Sequence, residues 1–334
     1  MTDADDGTTA ATTYGGLSPV AALSLVGNET RAGILWALSE ARGSEGDPAV
    51  LSFSELRERV APDAPSSQFN YHLQELVGQY VERRAPDDSA DGASVDDADD
   101  GASVDASSTL HADKGAGYAL RTEGTFLTRL VRAGSFTGSG ERGPVPIGVD
   151  CYHCGAALAL EYANWIAGVQ CEDCRHVYDH NLTPPGVLAD DPEVLLARVA
   201  EFNRAHRLAF ARGACPLCGH DATASFVDPA TLPYPRPDHR EVLVHRGCEH
   251  CGHLDYLTVG ELLLRDPALV AFCWRHGEAV TTARVWDLPF AMTDRAVTVL
   301  ARDPWRVAFE LVRGDDRLRV VLDDALDVVD RTVD

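Results

Sequence analysis

Cys151-Tyr152-His153-Cys154, Cys171-Glu172-Asp173-Cys174, Cys215-Pro216-Leu217-Cys218 and Cys248-Glu249-His250-Cys251 use eight of the nine cysteines of this 334-residue chain. Random placement would give about a quarter of one Cys-x-x-Cys pair, so four pairs need a cause. Two intervening residues let one tight turn aim both sulfurs at a common ion. Two such turns complete a tetrahedral set of four thiolates at about 2.3 Å per bond. Sixteen residues separate the first two pairs, and in them Leu158–Tyr162 and Trp165–Gln170 can make a hairpin around Ala163-Asn164. Twenty-nine residues separate the second two, including Leu232-Pro233-Tyr234-Pro235-Arg236-Pro237, expected as a loop. Gly155, Gly219 and Gly252 follow the second cysteine of their pairs, where a positive φ turns backbone amides toward sulfur.

This spacing predicts two structural Zn2+ sites of zinc-ribbon type, Cys151, Cys154, Cys171 and Cys174 in one and Cys215, Cys218, Cys248 and Cys251 in the other. Spacing leaves open a crossed pairing of the four turns. A catalytic zinc keeps one position open and favours His or carboxylate ligands, so closed sets of four thiolates read as supports. Redox dithiols and iron–sulfur ligation are the competing uses of the same residues. His153, His176, His220, His245, His250 and His253 lie near the turns and read as residues outside the ligand sets, while Cys273 reads as core.

Outward from the cysteines the composition is acidic. There are 52 acidic and 29 basic residues, a net charge of −23, with Asp (34) well ahead of Glu (18) and Lys114 as the sole lysine. Such a balance argues against a polyanionic partner. It also resembles proteins of halophilic archaea, in which an acidic surface says little about partners. No apolar run reaches the length of a membrane span, and the acidic start MTDADDGTTAATT is unlike a signal peptide. A cytoplasmic protein without membrane contact is expected, and there thiols stay reduced.

The predicted organisation is α+β and multidomain. Residues 1–16 read as disordered. Leu23, Val26, Ile34, Leu35 and Leu38 recur at helical spacing, broken at Gly27-Asn28, which predicts helices over about 18–26 and 30–41. Val50–Phe53 is a strand candidate, Ser54 a cap for a helix from Glu55 to Val60, and Ser66 or Ser67 a cap for a helix from Gln68 to Gly78. Phe69, Leu73 and Leu76 then face the core. Tyr80–Arg84 and Tyr118–Arg121 predict a hairpin whose tip, about 86–114, is a disordered acidic insertion repeating Asp-Gly-Ala-Ser-Val-Asp at 91–96 and 100–105. A helix from Thr125 to Ala133 and a glycine-rich linker over 134–148 follow. The cysteine region, 149–258, holds a long helix over about 191–212. A small β or α+β module fills 259–334, with short helices over 259–265 and 267–276 and strands over 296–301, 305–313 and 317–322.

That order over 17–133 is the order of a winged helix-turn-helix. Gly27-Asn28-Glu29-Thr30-Arg31, Phe53-Ser54-Glu55-Leu56 and Ser67-Gln68-Phe69-Asn70-Tyr71-His72-Leu73 resemble the ArsR-type winged-helix regulators, particularly their haloarchaeal branch. The remainder is similar to zinc-ribbon C-terminal regions fused to such domains in halophiles, a likeness that carries no activity. The resemblance implies a homodimer, formed through the first and last helices, that binds double-stranded DNA. Ser66 and Ser67 are candidates for phosphate, Gln68, Asn70, Tyr71, His72 and Gln74 for the major groove, and Arg83, Arg84 and Arg121 for the flanking backbone. Metal-sensing members carry cysteines on the DNA-binding domain, and residues 1–150 have none, so sensing there is unsupported. The C-terminal region is expected to bind a small-molecule or protein effector. A protein-only scaffold of the transcription machinery is the alternative, because 17–85 carries six arginines against nine acids. No nucleophile elbow, phosphate loop or metalloprotease motif points to an enzyme.

Overall fold

Ser18 and Asn28 each accept a hydrogen bond from a backbone amide three residues on, at 3.2 and 3.1 Å, and so open two helices, α1 (Pro19–Val26) and α2 (Glu29–Glu40). In the computed structural model, residues 17–41, 49–84, 117–138, 140–232 and 239–334 are described. The expectations for residues 1–16, 43–48, 86–114 and 233–237 fall outside these. The chain is α+β with several sheets, and divides into two compact units, Met1–Arg132 and Ala133–Asp334.

In the first unit α2 is followed by α3 (Phe53–Val60), α4 (Ser66–Leu76), the antiparallel pair β1 (Val81–Arg84) and β2 (Gly117–Leu120), and α5 (Thr122–Arg132). Ile34, Leu35, Leu38, Leu51, Leu56, Phe69, Leu73, Leu76 and Val81 form its core, with Phe53 edge-on to Phe69 at 5.4 Å. The cap of α3 is Ser52, not Ser54. The Ser52 hydroxyl accepts the Glu55 amide while the Glu55 carboxylate accepts the Ser52 amide, a reciprocal box. Since that box commits the backbone to helix from Phe53, no strand forms over 50–53, and only Leu51 exchanges bonds with Tyr118. Likewise Ser66 and Ser67 lie inside α4, because Pro65 occupies the cap position without a side-chain bond, and the helix stops at Leu76, before Gly78.

The second unit opens with a meander of four antiparallel strands, β3 (Arg142–Asp150), β4 (Ala157–Ala163), β5 (Ile166–Cys171) and β6 (Val177–Leu182). The linker expected over 134–148 is therefore largely strand: Val145 and Ile147 are buried and alternate with exposed Pro144, Pro146 and Gly148, which masked the pattern. Asn164 and Trp165 join β4 to β5 with φ of 50° and 68°, the conformation a two-residue hairpin loop requires. Asp191 caps α6 (Pro192–Ala211). Three antiparallel strands come next, β7 (Thr223–Val227), β8 (Leu243–Gly247) and β9 (Leu254–Leu257). Then follow α7 (Val259–Leu263), α8 (Pro267–Arg275), α9 (Pro289–Met292) and a final meander of β10 (Val297–Arg302), β11 (Trp305–Arg313), β12 (Asp316–Leu322) and β13 (Val328–Val333).

Residues 259–334 do not form a module of their own. One apolar core runs from Val145 in β3, through Leu195 and Val199 of α6, to Phe272, Trp286, Phe309 and Leu322. Within it α7 and α9 touch so closely that a Cβ on Gly260 would lie 2.0 Å from the Phe290 carbonyl oxygen. Only a residue without a side chain fits there.

Candidate metal centres

The four Cys-x-x-Cys turns share one backbone geometry. The amide of the first cysteine donates to a carbonyl five residues on: Cys151 to Ala156 (2.6 Å), Cys171 to His176 (3.0 Å), Cys215 to His220 (2.7 Å) and Cys248 to His253 (2.9 Å). The amide four residues on donates back to the cysteine carbonyl, from Gly155, Arg175, Gly219 and Gly252. Those four residues have φ of 80°, 62°, 74° and 73°. The closing position of each turn is thus left-handed, and in the second turn an arginine occupies it. Sheet pairing brings the turns together: the β3–β4 and β5–β6 connections hold the first two, and the approach to β7 and the β8–β9 connection hold the others.

Cys151, Cys154, Cys171 and Cys174 converge on one point and Cys215, Cys218, Cys248 and Cys251 on another, each set with its sulfurs within 4.8 Å. The crossed pairing left open by spacing does not occur. Sulfur–sulfur distances of 3.6 Å (Cys151–Cys174), 3.4 Å (Cys154–Cys171), 3.6 Å (Cys215–Cys251) and 3.6 Å (Cys218–Cys248) are far beyond a disulfide bond. They approach the separation of about 3.8 Å that tetrahedral coordination at about 2.3 Å demands. Both sets can hold a metal ion.

Electrostatics agree with that fit. Burial pushes the Cys151 thiol up, yet hydrogen bonds from the Tyr178 hydroxyl (3.1 Å), the Cys154 and His153 amides and the Cys174 thiol outweigh it and bring it down to about 6. Burial and the neighbouring sulfurs push Cys174 up to about 12. In the second set, the Cys251 amide is the main cause that brings Cys248 down to about 7. The His220 amide favours the Cys218 thiolate, but burial and the three other sulfurs push it up to about 12. One thiol ionises readily and opposes the next, so four thiolates persist together only around a cation.

The histidines near the second set have their own packing. His220 stacks on His250 at 4.6 Å, and His245 lies against Tyr256 at 5.1 Å. The His253 ring meets His206 nitrogen to nitrogen at 2.9 Å and stacks on Phe210. Burial holds the His206 imidazole down at about 4, hence neutral. Cys273 is fully buried and pushed up to about 11 by burial, consistent with core.

In the first unit, Ser66, Ser67, Gln68, Asn70 and Tyr71 are exposed on α4, while His72 and Gln74 are half-buried. Arg83 donates to the Gln74 side-chain oxygen at 2.9 Å, and Gln74 donates to Asn70 at 3.3 Å, linking the helix face to β1. Arg121 donates to the Gly78 carbonyl at 2.7 Å, holding the turn after α4, and Arg84 pairs with Glu82 at 2.7 Å.

A charged cluster in the second unit left no mark in the sequence pattern. Arg207 of α6 pairs with Asp179 of β6 at 2.5 Å and with Glu261 of α7 at 3.0 Å, all three nearly buried. Asn203 donates to Asp179 at 3.2 Å, and fully buried Arg246 pairs with Asp255 at 2.7 Å. Burial raises the Asp179 and Glu261 carboxyls above the ordinary range, and Arg207 opposes that rise. Arg207 and Glu261 form part of the walls of two cavities of about 430 and 450 Å³, and Asp179 lines the first. Arg204, Arg212, Arg246 and Arg265 also border the second, with apolar walls including Leu208, Leu262 and Val280.

Among the described residues, no helix is long and apolar enough to cross a membrane. No curated protein and no solved structure matches the chain. Residues 19–90 match the model of a domain of unknown function, DUF7347. Residues 148–328, more than half of the chain and containing both thiolate sets, match that of a second, DUF7351. The chain belongs to the DUF7351 family.

Proposed function

We propose that the chain is a DNA-binding transcription regulator of ArsR-like type, whose first unit is a winged helix-turn-helix and whose second unit, supported by two Zn2+ ions, receives an effector. The observation that carries this reading is the two-faced α4. Phe69, Leu73 and Leu76 are wholly buried, while Gln68, Asn70 and Tyr71 are exposed on the other side, with Asn70 tied through Gln74 to Arg83. A helix with a fixed polar face of amides is suited to base edges in a major groove, and β1–β2 takes the place of a wing. Zinc is the ion best matched to a closed tetrahedral set of thiolates in a reducing cytoplasm.

Two further features fit the proposal. No residue of α1 is buried, Val20 and Leu23 are 73% and 72% exposed, and Phe126 of α5 is 62% exposed, an apolar surface suited to a second copy. The arginine-bordered, apolar-walled cavity of about 450 Å³ suits a small anionic effector in a chain of net charge −23.

The excess of acids over arginines across 17–85 favours a second reading, a scaffold that touches protein only. Gel shift and genomic footprinting in molar KCl separate the two. Sequence-specific binding that weakens when Gln68, Asn70 and Tyr71 are changed to Ala supports the regulator. Absence of specific binding at every salt concentration supports the scaffold.

A further inference from the structure

Three imidazoles from three separate segments converge in the second unit. His153 lies inside the first Cys-x-x-Cys turn, His176 follows the second, and His239 precedes β8; ring nitrogens, one from each, lie within 4.8 Å of one another. The His153 ring stacks on His239 at 4.0 Å and 18°, and lies 4.5 Å from His176, which is 5.1 Å from His239. Tyr178 supports His176 edge-on at 4.6 Å. His176 is fully buried, His239 half-buried and His153 exposed, so the cluster is anchored at one side and open to solvent at the other.

We propose that His153, His176 and His239 form a third metal site, open and exchangeable, for a divalent transition ion such as zinc, cobalt or nickel. The eight cysteines complete two closed sets, so these imidazoles are not needed there. Neutral imidazole nitrogen suits borderline first-row ions and not calcium or magnesium, which take oxygen. Three nitrogen donors leave a fourth tetrahedral position for water or an anion. Bonds of about 2.0–2.1 Å place ligand nitrogens about 3.4 Å apart, inside the 4.8 Å that encloses these three, and the stacked His153 and His239 rings must turn for their lone pairs to meet at one ion. His176 is the buried, fixed member of the three, and His153 and His239 lie toward the solvent side. Because the first two turns carry His153 and His176, the site is organised by the first thiolate set. The inference rests on that set holding its ion, and is independent of DNA binding.

The test uses the full chain, dialysed against a mild chelator so that only tightly held ions remain, and titrated with cobalt(II) chloride. Wild type is expected to keep two ions and take up one further cobalt, with the weak visible bands of nitrogen and oxygen ligation and no thiolate-to-cobalt charge-transfer band. His239→Ala, a change outside the chain segments of all four turns, should weaken that uptake at least about 10-fold while both tight ions stay. His180→Ala, an exposed neighbour on β6, should leave it unchanged. The proposal is overturned if wild type binds no third ion, or if His239→Ala retains it. It is equally overturned if uptake brings a charge-transfer band, which would mean that cobalt had entered the thiolate sets. Wild-type stoichiometry decides even if the variant does not fold, and absence of the two tight ions would overturn the thiolate sites as well.

Discussion

Met1–Arg132 and Ala133–Asp334 reach ordered cores by different means. The first unit has no cysteine and stacks helices whose apolar positions recur every three or four residues, so that neighbours in sequence largely dictate neighbours in space. The second places eight thiols on four turns and buries Asp179, Arg207 and Glu261, groups up to 82 residues apart in the chain (261 − 179). Local pattern suffices for the first, whereas the second needs partners that only the finished fold supplies. A structural ion of this type contributes an apparent 10–16 kcal/mol at neutral pH, roughly the whole stability of a domain.

The widest separation between the units should come from the thiolates. Cys171→Ser or Cys248→Ser is expected to lose one ion and the cooperative melting of Ala133–Asp334, while the helical signal of the first unit persists; calorimetry with limited proteolysis resolves the two. Conversely, Phe69→Ala should cost the first unit about 3–5 kcal/mol in denaturant unfolding and leave metal content unchanged. If both changes melted the whole chain together, the contrast between the units would collapse.

Arg207→Met sharpens the contrast inside the second unit. It strands two buried carboxylates, and about 3–5 kcal/mol should be lost. The pH dependence has a definite sign. Asp179 and Glu261 already have raised values in the folded chain, so their contribution is present at low pH and is lost as pH rises through those values. Without the arginine the rise is larger. The deficit of the variant relative to wild type should therefore be greatest near neutrality and shrink as pH falls, and a deficit that grew on acidification would contradict the account.

The smallest effects test single turns. Ser52→Ala should cost about 1 kcal/mol through its capping box, and Ser66→Ala or Ser67→Ala should change stability by less than about 0.5 kcal/mol. Arg175→Gly should stabilise the second unit by about 1 kcal/mol, since φ of 62° strains any residue with a Cβ. A loss at that position would mean that the arginine side chain contributes more than its backbone costs.

Much of the architecture was legible where the cause is local. Phe69, Leu73 and Leu76 were readable from their spacing, the β4–β5 hairpin from its two apolar runs, although its loop is Asn164-Trp165 and not Ala163-Asn164, and the eight thiolates from the two-residue gaps, although not their pairing into sets. Other features had no local cause. Val145 and Ile147 alternate correctly, but the glycines and prolines between them imitate a linker. Every residue of β13 is exposed, so an edge strand with no buried face offers no period to detect. Arg207 on an amphipathic helix looks like a solvated charge until β6 and α7 arrive beside it. His239 lies 63 residues from His176 (239 − 176), and no spacing rule joins them.

If two closed four-thiolate centres hold the second unit together, its metal and its fold must be lost as one. Titrating the native chain with a mercurial while recording released metal tests it most directly. Two ions should leave as eight thiols react, with the melting transition of Ala133–Asp334 lost in step and that of the first unit retained. A chain that carries no ions, yet melts sharply with its thiols freely reactive, would contradict the account.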